Sequence, residues 1–163
     1  MSRTGGRFRV LFLCTGNSAR SILAEHLLRR LDPGRFETFS AGSHPRGAVH
    51  PLALELLAGR DGVDSSTARS KSWQELADTD LDLVVTVCDE ARESCPLWPR
   101  ATAVAHWGMP DPAAIPGSVE TQRAAFEAAM RLLEDRLASL AALPLESMGP
   151  EQLEDQVGRF GEP

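Results

Sequence analysis

Two hydrophobic periods alternate along this chain. Phe8 to Leu13 is a short, continuous apolar run and reads as a buried strand. From Ser21 to Leu31 the period lengthens. Ile22, Leu23, Leu27, Leu28 and Leu31 recur at helical spacing, and Asp32-Pro33-Gly34 stops the helix. Phe36 to Ala41 predicts a second strand. Pro51 to Gly59 predicts a helix with Leu52, Leu56 and Leu57 on one side, Asp64 to Lys71 a polar loop, and Ser72 to Ala77 a short helix. Leu81 to Val87, rich in Leu and Val between aspartates, gives the strongest strand signal, and Ala101 to Ala105 a fourth, shorter strand. Gly108 to Gly117 is a loop carrying Pro110, Pro112 and Pro116. Ser118 to Leu143 predicts one long helix whose buried stripe is marked by Phe126, Met130, Leu133 and Leu137. Pro144 to Pro163 is polar and reads as a loosely packed tail with a short helical piece.

Strand and helix alternate, which implies an α/β fold: a parallel sheet with right-handed crossovers and helices on both faces. The pattern yields one domain over residues 1–144 and a C-terminal tail over 145–163. In such sheets ligands bind beyond the carboxyl ends of the strands. Cys14, Cys88 and His106 each directly follow a predicted strand, so they are expected along one edge of the sheet.

Composition narrows the partners. The chain has 163 residues, 42% of them hydrophobic and 25% charged, enough for one soluble domain with a real core. A net charge of −6 without a block of like charges argues against nucleic acid or an anionic membrane as the main partner. No stretch approaches the roughly 18 apolar residues of a membrane helix. Val10 to Leu13 is too short for a signal-peptide core, so the expected location is cytoplasmic. Three cysteines in such a chain suggest reactive thiols rather than a structural disulfide framework.

The chemistry concentrates in Cys14-Thr15-Gly16-Asn17-Ser18-Ala19-Arg20, followed by Ser21 at the helix start. A strand feeds a tight turn that opens into a helix. Backbone N–H groups in such a turn converge into an anion nest, and the helix N-terminus adds unpaired donors and partial positive charge. Gly16 relieves steric limits where the chain curls. The Arg20 guanidinium matches two oxygens of a tetrahedral anion. The same surroundings favour a thiolate on Cys14, able to attack the central atom of the bound anion. A buried structural cysteine beside a surface arginine is the bland alternative. A second candidate is Asp111, between Pro110 and Pro112. A carboxylic acid held there over the anion can protonate a leaving oxygen, whereas an ordinary turn aspartate would do nothing.

The segment Val10 to Ser21 resembles the phosphate loop of the low-molecular-weight tyrosine phosphatase superfamily, which includes the thioredoxin-coupled arsenate reductases. The resemblance runs roughly from Phe8 to Leu140 and takes in Ser40-Ala41-Gly42 and the Asp111-Pro112 pair. It implies a four-stranded parallel sheet flanked by helices, oxyanion binding by Thr15, Gly16, Asn17, Ser18, Ala19, Arg20 and Ser21, and a general-acid role for Asp111.

Cys88 and Cys95 sharpen the likeness. Seven residues apart on a helix, they would be about 10.5 Å apart, against the 5.5–6 Å or so between Cα atoms that a disulfide needs, so bonding requires the segment to bend or unwind. Zinc sites usually pair cysteines two to four residues apart. Two inert thiols are the bland alternative. Val84 to Cys88 with Cys95-Pro96 resembles the redox segment of thioredoxin-coupled arsenate reductases. The phosphatases of the superfamily tend to carry tyrosine after the Asp-Pro pair, where Ala113 and Ala114 stand here in a chain without tyrosine. The resemblance thus implies an arsenate reductase with a three-cysteine relay. Cys14 attacks arsenic, Cys88 attacks the sulfur of Cys14 to release arsenite, and Cys95 attacks Cys88. An external thiol partner then reduces the Cys88–Cys95 bond: thioredoxin, or glutaredoxin with glutathione. No tightly bound cofactor is expected, but some relatives hold potassium beside the loop, and the matching positions are Asn17, Glu25, Ser40 and Asp64. Ordinary loop-bracing hydrogen bonds are the alternative there.

His26, His44, His50 and His106 read as structural or surface residues, and Trp73, Trp98 and Trp107 as packing groups, with Trp107 expected to wall the pocket. Two competing functions share the loop. One is a phosphatase acting through a phosphocysteine; the other is an anion-binding regulator without turnover.

Overall fold

The structure is a computed structural model that describes residues 6–88 and 101–162. Cys95 and Trp98 lie outside the described residues. Four strands, β1 (Phe8–Cys14), β2 (Phe36–Gly42), β3 (Leu81–Thr86) and β4 (Ala101–His106), form one parallel sheet in the order β2-β1-β3-β4. The helices among the described residues are α1 (Arg20–Leu31), α2 (Pro51–Ala58), α3 (Val119–Ala141) and α4 (Pro150–Arg159). They flank the sheet on both faces, as the alternating pattern predicts.

The central strands explain the apolar runs. β1 and β3 each pair on both sides, and a parallel strand covered on both faces cannot afford alternating polarity. Val10, Leu11, Phe12, Leu13, Leu83, Val84 and Val85 are fully buried. The edge strand β4 is only partly buried, in keeping with its weaker signal. Phe126, Met130, Leu133 and Leu137 do form the buried stripe of α3, and its N-terminus is capped by the Ser118 hydroxyl, which accepts from Thr121 N–H. At the other end Arg35 donates to the carbonyls of Ala141 and Leu143, closing acceptors that a helix terminus leaves open.

Strand order fixes the place for chemistry. The chain steps from β1 to β2 on one side and returns to β3 on the other, so the order reverses between β1 and β3. A crevice forms where crossovers diverge in this way. The register sets the strand ends level: Cys14 pairs with Gly42, Leu13 with Thr86, and Thr86 with His106.

Two expectations change. The C-terminal segment is not loosely packed. Leu145, Leu153 and Val157 are buried, α4 lies against β4, and the Trp107 indole N–H donates to the Val157 carbonyl at 2.7 Å. A short amphipathic helix looks polar in composition because only a narrow face is apolar. Trp107, accordingly, does not wall the pocket. It is fully buried and packs near Phe12, with ring centroids 6.2 Å apart.

Candidate active site

The oxyanion loop gets its shape from the segment after β2. Ser43, His44, Arg46 and His50 donate backbone N–H groups to the carbonyls of Cys14, Thr15, Gly16 and Ser18, at 2.8–3.3 Å. With those carbonyls engaged on the outside, the loop's own N–H groups are left for the inside, the arrangement an anion nest requires. Asn17 takes the left-handed backbone conformation, with φ of 44°, which asparagine tolerates better than most residues. The strained position is therefore Asn17 rather than Gly16. Gly16 matters for a different reason: a Cβ there would lie 3.0 Å from the Arg46 side chain. Gly42 is bound more tightly, because a Cβ would come within 2.5 Å of the Thr15 carbonyl.

The N-cap position of α1 is Ala19, whose side chain cannot accept from the first-turn N–H groups. Those donors face the site instead of a capping oxygen. Cys14, at the end of β1, is buried, and its sulfur receives the Asn17 N–H at 3.2 Å and contacts Ser21 Oγ at 2.9 Å. Ser21 Oγ accepts from Asn17 Nδ2 at 2.8 Å and meets the sulfur in a hydrogen bond that either group can donate. The Asn17 N–H thus points at Cys14, and the Ser21 hydroxyl is placed to donate to the sulfur when it acts as a thiolate.

A cavity of about 430 Å³ opens above this loop, lined by the whole of Cys14–Arg20 and by Cys88, Met109 and Asp111 among others. Arg20 spans it. One nitrogen donates to the Met109 carbonyl at 3.0 Å and the other lies 3.6 Å from Asp111 Oδ2. The Asp111 loop is held at Gly108 as well, whose carbonyl accepts from the buried Arg136. Asp111 Oδ1 accepts from Ala113 N–H, so the carboxyl is oriented by the turn it starts. Cys88, just past β3, is buried, and its sulfur is 3.4 Å from Thr15 Oγ1. Cys14, Arg20, Cys88 and Asp111 therefore share one cavity.

Met109 and Ala114, on the Asp111 loop, line the cavity without having been assigned to it from the sequence, and so do the two residues past β2, His44 and Arg46. Both are exposed and sit on the rim. Their position just past the end of β2 was the available signal. His106 goes the other way. It ends β4 but is not among the cavity-lining residues, and its Nδ1 is 2.7 Å from Thr86 Oγ1. His50 caps α2, its Nδ1 accepting from Leu52 N–H, and its ring lies tilted against Phe126 with centroids 4.6 Å apart.

The four positions matched to potassium separate. Glu25 and Ser40 are buried and joined by a 2.5 Å hydrogen bond, while the Asn17 side chain is engaged by Ser21 Oγ and the Lys71 backbone N–H. Asp64 does not join them. It is exposed and caps the turn Ser65–Thr67 through Ser66. The Lys71 ammonium comes in instead, 3.3 Å from Ser40 Oγ and 3.9 Å from Glu25 Oε1, while Arg29 takes Glu25 Oε2 at 2.8 Å. One carboxylate already faces two cations. A third unit charge 4 Å away would meet repulsion of about 4 kcal/mol per neighbour at an effective dielectric of 20. The group as built does not fit a potassium ion.

The strand order, the Cys-x5-Arg loop and the aspartate loop together define a phosphatase-type oxyanion fold. The chain belongs to the low molecular weight phosphotyrosine protein phosphatase family, whose model matches residues 9–157. Within it, the chain is 34% identical over 136 residues to an arsenate reductase of Bacillus subtilis, covering 81% of this chain and 94% of that protein. It is 37% identical over 114 residues to arsenate reductase 2 of Staphylococcus epidermidis, covering 70% of this chain and 85% of the relative. A solved thioredoxin-dependent arsenate reductase of Corynebacterium glutamicum superposes with a TM-score of 0.64 at 27% identity, over 85% of this chain and 62% of that one.

Proposed function

We propose that this protein is an arsenate reductase that works by a three-cysteine relay. The observation that carries the reading is the second thiol: Cys88 opens into the same cavity as Cys14, from the neighbouring central strand. Hydrolysis through a phosphocysteine needs one sulfur at this place. Reduction needs a second to take the first one off arsenic. The relatives named arsenate reductase support the same choice.

Arsenate enters the loop, its oxygens held by backbone N–H groups and Arg20. The Cys14 thiolate attacks arsenic(V), and Asp111 gives its proton to the departing oxygen, which leaves as water. The Cys88 thiolate then attacks Cys14 Sγ. The sulfur–sulfur bond forms as the sulfur–arsenic bond breaks, and its electron pair stays on arsenic, which departs as arsenite. Cys95 exchanges with the Cys14–Cys88 disulfide by attacking Cys88. A dithiol protein of the thioredoxin type, acting in the cytoplasm, reduces the Cys88–Cys95 bond.

The test couples the protein to thioredoxin, thioredoxin reductase and NADPH. NADPH consumption that depends on arsenate and vanishes in Cys14→Ser is expected. Fast hydrolysis of p-nitrophenyl phosphate with no arsenate-dependent NADPH consumption, under thioredoxin or glutaredoxin with glutathione, would establish the phosphatase reading instead.

A further inference from the structure

Lys71 stands where three parts of the molecule meet. Its backbone N–H donates to Asn17 Oδ1 at 2.8 Å, and its carbonyl accepts from Gly42 N–H at 2.9 Å. Asn17 in turn donates to Ser21 Oγ, which touches the Cys14 sulfur. The side chain runs the other way, into the buried pair Glu25 and Ser40, with the ammonium also donating to the Arg69 carbonyl at 2.9 Å. Glu25 belongs to α1, Ser40 to β2, and Asn17 to the oxyanion loop. One residue therefore fastens the loop to the helix that follows it and to the strand beside it.

The chemistry of the pocket is that of a monovalent cation site: a carboxylate oxygen, a hydroxyl and a carbonyl around one positive charge. An ammonium and a potassium ion both satisfy such oxygens. A tethered ammonium differs in that its position is covalently tied to the backbone N–H that holds Asn17.

We propose that the Lys71 ammonium is the resident cation of this site, serving in place of a free potassium ion, and that Lys71 is thereby a positioning residue for the oxyanion loop. The chain needs no added potassium. Loss of the charge removes the cation that ties Glu25 and Ser40 to the Arg69 carbonyl, loosens the loop's outer brace and weakens its grip on the anion. This holds whichever reaction Cys14 performs, because the anion and the loop are common to reduction and hydrolysis.

The test uses the full chain and two readouts that do not need turnover. The first is thermal unfolding in potassium, sodium and choline chloride at equal ionic strength. The second is protection of Cys14 from iodoacetamide by arsenate, read on the Cys14 peptide by mass spectrometry. Wild type is expected to melt at the same temperature in all three salts. Lys71→Ala should melt lower and need about tenfold more arsenate for half-protection, the scale of a lost charged hydrogen bond. Both losses should be recovered by potassium in preference to sodium, since the truncated side chain leaves the oxygens and the space. If Lys71→Ala does not fold, Lys71→Met keeps the stem without the charge and should show the same weakened protection. A wild-type melting temperature raised selectively by potassium would overturn the proposal. So would wild-type protection in the variants, or losses in a folded Lys71→Ala that potassium does not recover.

Discussion

At the scale of single residues, what separates this site from an ordinary strand end is where donors point. Cys14 receives a backbone N–H and faces a hydroxyl, and Arg20 reaches across the cavity to Met109 and Asp111. Arg20 offers a planar fork, so Arg20→Lys replaces two directed hydrogen bonds with a point charge. The expected result is a rise in arsenate KM of about 10-fold or more, consistent with losing one charged hydrogen bond. An unchanged KM would remove Arg20 from anion binding. His50 makes a different prediction. Burial, reinforced by Arg46, pushes its pKa below the ordinary value, and only the neutral ring has the Nδ1 lone pair that caps α2. A folded pKa below the unfolded one means stability that is complete above about pH 6.5 and is lost as the pH falls below it. His26, pushed down by desolvation, adds a slope of the same sign. His50→Asn keeps a capping acceptor without the titration. Its melting temperature should therefore fall less steeply than that of wild type between pH 7.5 and 5. Parallel curves would show that His50 does not contribute.

At the scale of elements, the segment between β2 and α2 matters most. It looks like featureless loop in the sequence, yet it takes up four carbonyls of the oxyanion loop and so decides which way the N–H groups face. This work is done by backbone atoms, which leave no residue-type signature apart from Gly42. The C-terminal helix α4 is a second case. Its polar composition hid Leu153 and Val157, both buried against the edge strand β4. Leu153→Ala should cost about 3 kcal/mol as a core truncation, roughly a 6–12 °C fall in Tm for a chain of this size. Arsenate protection of Cys14 at 25 °C should be kept, because α4 contributes nothing to the cavity lining. A fall of less than about 2 °C would mean that α4 is not docked.

At the scale of the whole molecule, an acidic protein of net charge −6 presents an anion site. The attraction is local: Arg20 and Arg46 line the cavity and the N-terminus of α1 points into it. The proposed relay likewise belongs to the molecule as a whole, since in that reading oxidation passes from the cavity to a surface another protein can reach. Cys95→Ser is expected to release one equivalent of arsenite per chain and then stop, with no sustained NADPH consumption in the coupled assay. Sustained turnover at the wild-type rate would rule out the third step of the relay.

The strands, the helices and the Cys14–Arg20 loop were legible in the sequence, because burial on both faces of a parallel strand demands continuous apolar residues and a helix demands its own period. Asp111 was singled out by its flanking prolines together with the resemblance of Asp111-Pro112 to the family's Asp-Pro pair, and the structure places it on the cavity. The order β2-β1-β3-β4 was not, since each strand's pattern records that it is buried but not beside which neighbour. The sequence put Cys14 and Cys88, 74 residues apart, along one edge of the sheet, but only the folded sheet sets their strands side by side. Only it sets Lys71 against Glu25 and Ser40, and Arg46 on the rim, because such meetings depend on crossovers and register, and no period of 2 or 3.6 residues encodes them.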